Sequence, residues 1–60
     1  MTIKEAIERG NQIIADWQWA CVCQDQILMD KYSKERAAFE SSLIRDYDED
    51  FVCEYFNALD

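Results

Sequence analysis

The pair Cys21-x-Cys23 is the first place to look for chemistry, because thiolates bind soft metals and exchange electrons. On a helix, residues two apart point about 200° from each other, so the pair cannot grip one ion. A metal site would need Cys53 from elsewhere in the chain and a carboxylate as fourth ligand, since histidine is absent. Cys21 therefore reads as a small core residue, and Cys53 as a residue at the edge of its helix face. Neither a metal nor a cofactor is expected.

Thirteen carboxylates raise a second chemistry, that of helical hydrolases holding Mg²⁺ between inward-facing acids. Glu5 and Glu8 share a helix turn, as do Asp46 and Asp50, but both pairs fall off the apolar stripes and read as solvated. Without histidine the commonest acid–base group is also missing. Arg36 and Glu40 sit four apart and predict an exposed pair worth a few tenths of a kcal/mol at most. No third polar partner for them can be picked out of the sequence. The chain does not read as an enzyme.

The elements that must position these residues are helical. A single glycine and no proline favour long uninterrupted helices. Thr2 and Glu5 have capping-box spacing, which predicts a helix start at residue 3. From there Ile3, Ile7, Gly10, Ile14, Trp17, Cys21, Gln24 and Leu28 alternate steps of four and three. Ala6, Ile13, Ala20 and Ile27 run beside them at steps of seven. Both rows keep phase across Gly10 and Asn11, predicting one continuous helix over about 3–31. Trp17, Ala20, Cys21 and Ile27 face one way along it, while Trp19, Val22 and Cys23 project from the other side. Such an all-round apolar middle implies cover on both sides: the second helix in front and, behind, the third helix wrapping round, a second copy or another protein.

Ser33 is a reasonable N-cap for a second helix over about 34–46, and Asp46 or Asp48 for a third over about 49–59. Ala37, Phe39, Leu43, Ile44 and Tyr47 share one half of the second helix. Phe51, Val52, Tyr55, Phe56 and Leu59 make the third amphipathic, with Asp60 at the unfavourable end of its dipole. The expected fold is all-α: one domain over 1–60, a long first helix with two shorter ones packed back on it. No internal repeat or linker is present.

Sixty residues give a small core, and oligomerisation is a common remedy at this size. A homodimer through the exposed side of the first helix, using Trp19, Val22, Cys23 and Gln26, is one expectation. The longest apolar run, Trp19 to Cys23, is far too short to span a membrane. With three cysteines and no apolar leader at the start, the chain reads as cytoplasmic.

Net charge is −7, which disfavours direct contact with nucleic acid or an anionic membrane and favours a basic protein partner. Asp46 to Asp60 holds six acids and no base, interleaved with Tyr47, Tyr55 and Phe56. Carboxylates so arranged on a helical surface can imitate phosphates and fill a basic groove built for nucleic acid. In size, acidity and the run carried by Asp46, Asp48, Glu49, Asp50 and Glu54, the chain resembles small phage-encoded inhibitors of host defence of the anti-CRISPR type. That resemblance is one of general character over about a quarter of the chain. It implies an interaction protein that inhibits a nucleic-acid-handling partner. The five acids would steer association, with Trp19, Tyr47 and Tyr55 as aromatic anchors. The competing expectation is a self-associating structural module whose acids serve solubility.

Overall fold

A computed structural model describes residues 1–59 and shows three helices: α1 (Ile3–Val22), α2 (Gln26–Asp46) and α3 (Glu49–Ala58). No strand occurs among the described residues. The long axis measures 36 Å and the two short axes 18 and 16 Å. Helix α1 begins as its capping box dictates. The Glu5 amide donates to Thr2 Oγ1 at 3.2 Å, and the Thr2 amide donates to Glu5 Oε1 at 3.1 Å. These bonds hold the Glu5 carboxyl below its usual range.

The three-helix, all-α architecture is the expected one, but the first boundary moves. Helix α1 stops at Val22 rather than near residue 31, and α2 starts at Gln26 rather than 34, so the two are nearly equal at 20 and 21 residues. Gln24 takes the left-handed conformation (φ 55°) between them, and its amide donates to the Cys21 carbonyl at 3.1 Å. Asp25 then caps α2, accepting from the Leu28 amide at 3.1 Å. Ser33, expected as the cap, lies well inside α2. The apolar rows carried into residues 24–28 thus cross a turn, and Ile27 points to solvent at 81% exposure instead of sharing the face of Trp17 and Ala20.

Through Gly10 the helix is continuous, and its missing side chain has a structural purpose. Tyr55 of α3 is fully enclosed and sits down on this glycine. A β-carbon at position 10 would meet the Tyr55 hydroxyl, and would lie 2.9 Å from both Tyr55 Cε2 and Leu59 Cδ2. Around this contact Ala6, Leu43 and Tyr55 form the core, joined by Ile3, Ile7, Phe39, Tyr47, Phe51 and Leu59. Ile13 and Ala20 are buried further along α1. Asp48 caps α3 by accepting from the Phe51 amide at 2.9 Å. Leu59 is its C-cap, so α3 ends one residue early, and Asp60 lies outside the described residues.

Ten residues make a helix about 15 Å long, against about 30 Å for α1. With Tyr55 and Leu59 already at Gly10, α3 covers only the first half of α1 and the second half of α2. The other half of the α1–α2 hairpin, toward its turn, is a two-helix layer with no third helix upon it.

Candidate functional site

Three surfaces carry the residues that could act on a partner. The acidic corner lies where α2 meets α3. Asp46, Asp48, Glu49, Asp50 and Glu54 are all exposed. Two of them are engaged: Asp46 pairs with Arg45 at 3.1 Å, which lowers its pKa, and Asp48 caps α3. Glu49, Asp50 and Glu54 form no ion pair among the described residues.

The aromatic anchors expected beside these acids are not free. Tyr55 is 0% exposed, contrary to its expected place on a binding surface, because the notch at Gly10 admits its ring. It makes edge contacts with Phe39 at 6.0 Å and Phe56 at 5.1 Å. Tyr47 is half-buried and stacks on Phe51 at 4.2 Å, where it closes the end of the core. Of the aromatic residues in this run, Phe56 retains the most open surface, at 44%.

The second surface is the outside of α1. Trp19 and Val22 are 67% and 73% exposed, and Cys23 and Gln26 are exposed beside the turn. Helix α3 packs elsewhere, so no part of the described chain encloses them. Cys53 is likewise exposed. Cys21 is half-buried, and its thiol donates to Met29 Sδ at 3.3 Å. Among the described residues no three acids or cysteines gather as a metal site would require.

The third surface is not legible in the sequence. A cleft of about 260 Å³ opens between α1 and α2 just beyond the end of α3. Ile13, Ile14 and Trp17 form one wall, and Tyr32, Ser33 and Ala37 the other. Arg36 and Glu40 also line it, as an ion pair at 3.1 Å. Glu40 is the joint between cleft and core, for its Oε2 also accepts from the Tyr55 hydroxyl at 3.3 Å. Tyr55 is therefore the third polar partner that the Arg36–Glu40 spacing alone does not reveal. Burial, and then the Glu40 charge, push the Tyr55 phenol up to about 12. The Trp17 end of the apolar seam is the one signal in the sequence that points toward this wall. Tyr32 and Ser33 give none, because the expected boundaries put them in a connection rather than inside α2.

Arg36 and Glu40 pair with each other in the cleft lining, and the walls beside them are largely apolar, a surface suited to recognition by apolar contact. No helix is long and apolar enough to cross a membrane among the described residues. No family model, curated protein or solved structure matches this chain.

Proposed function

We propose that the chain is a small acidic protein-interaction module that docks through its α2–α3 corner onto a basic surface of another protein. A groove built to hold nucleic acid is the surface it would best occupy, and occupation would inhibit that partner. The supporting observation is the segregation of charge along the molecule. Residues 13–40, the hairpin half, hold five acids and three bases. The remaining described residues hold seven acids and three bases, so most of the negative charge lies toward the other end. A field concentrated this way orients the molecule during approach and accelerates encounter with a cationic groove. Phe56 and the exposed side of α3 would provide the short-range contact.

The test replaces Asp48, Glu49 and Asp50 by Asn, Gln and Asn, so that the asparagine put in place of Asp48 still caps α3. Capture from lysate at low salt, with identification of the retained protein, should show a basic partner held by the wild type. Retention should fall by about tenfold or more in the triple variant and decline steeply with salt. Undiminished retention of the same protein by the variant would refute the reading.

A further inference from the structure

The uncovered half of the hairpin is a second interaction surface, independent of the acidic corner. We propose that it seats a second copy of this chain, two hairpins packing face to face so that their turn-side halves form a four-helix bundle. Each copy would contribute the second half of α1 and the first half of α2, while α3 caps the two outer ends.

Three observations favour this occupant. The first is continuity with the core. Helix α3 lies in the groove between α1 and α2, and the cleft begins where α3 ends, on the same side of both helices. Ile14, Trp17 and Tyr32 extend the apolar track made by Ile7, Gly10 and Phe39. A helix pair can continue that track where α3 does not reach, by the packing used in antiparallel bundles.

The second is charge. Two molecules of net charge −7 repel, and a contact between copies is tolerable only where each is close to neutral. The hairpin half, with five acids against three bases once Glu40 of the cleft lining is counted, is closer to neutral than the rest of the chain. Face-to-face packing also sends the two acidic corners to opposite ends of the assembly, as far apart as the shape allows. The same charges argue against a strongly basic partner at this face.

The third is area. A stable interface needs about 800 Å² from each side. The whole chain exposes 4335 Å², so about a fifth of its surface is required. Trp17, still 41% exposed, and half-buried Ile14 and Tyr32 line this cleft. Large aromatic side chains make the greatest contribution to such interfaces. Ala37 leaves room between the walls for a side chain from the other copy. By contrast the outer patch of Trp19 and Val22, which exposed Ala15, Gln18 and Cys23 accompany in sequence, forms no part of the cleft lining.

Sedimentation equilibrium of the full chain tests this. The wild type should approach twice 7.1 kDa at high concentration. Ala37→Glu puts a charge and added bulk into the groove without removing a core side chain, and should give a helical monomer. Trp17→Gln serves the same purpose if Ala37→Glu fails to fold. Changing Trp19 and Val22 together to Gln should leave the mass unchanged. A wild type that stays at 7.1 kDa would overturn the proposal. So would a groove variant that folds and remains dimeric, or a Trp19/Val22 variant that becomes monomeric.

Discussion

Gly10→Ala should destabilise this protein, although the same change in an ordinary helix interior would stabilise it. Alanine gains about 1 kcal/mol over glycine from helix propensity. Against that, the new methyl would stand 2.9 Å from Tyr55 Cε2 and Leu59 Cδ2, and closer still to the Tyr55 hydroxyl. Overpacking of this kind costs about 1 to 3 kcal/mol. Tyr55 cannot simply withdraw, because Phe39 and Phe56 meet its ring and Glu40 accepts its hydroxyl. Straining that hydrogen bond forfeits up to about 1 kcal/mol more. The net expectation is a loss of up to about 3 kcal/mol. Urea unfolding followed by far-UV circular dichroism reads it directly, at one fixed protein concentration so that association does not confound the midpoint. Repeating the change in a Tyr55→Phe background should shrink the loss, since the atom nearest the new methyl is gone. A Gly10→Ala protein more stable than wild type by about 1 kcal/mol would refute the docking of Tyr55 on Gly10.

Two further expectations concern the Glu40–Tyr55 contact. Glu40→Ala leaves the enclosed Tyr55 hydroxyl without its acceptor and should cost about 1 to 3 kcal/mol, while Glu40→Gln keeps an acceptor and should cost less. Equal losses in the two variants would show that the hydroxyl does not depend on residue 40. The Tyr55 phenol, raised from 10.0 to about 12 in the fold, favours folding with the proton on. Its contribution is therefore complete below about pH 10 and is lost as pH climbs from there toward about 12. Ultraviolet absorbance of the phenolate should show one phenol ionising together with loss of helix in that window, a component absent from Tyr55→Phe.

The helical class, the Thr2–Glu5 cap, the passage through Gly10 and an aspartate cap on α3, at Asp46 or Asp48, can be read from the chain, because each rests on local chemistry. The turn at Cys23–Asp25 cannot. Its left-handed residue is glutamine, where glycine or asparagine would have announced it, and the apolar rows run through it in phase. Asp25 ahead of Ile27 and Leu28 is the available signal, a capping residue before an apolar pair. The acidic corner is visible because charge is carried by residue type alone. Tyr55 escapes a sequence reading for a different reason: whether an aromatic on an amphipathic helix faces a partner or a core depends on the notch opposite. That notch, Gly10, lies 45 residues away in sequence. The cleft follows from the length of α3 relative to the hairpin, which only the observed helix boundaries disclose.

The two indoles give the molecule its own optical gauge. Trp17 stands in the cleft wall and Trp19 on the opposite flank of the same helix, so an event on either side alters the surroundings of one ring and leaves the other in water. Emission from single-tryptophan versions would then report which flank has been approached, with no dye attached and no cysteine modified.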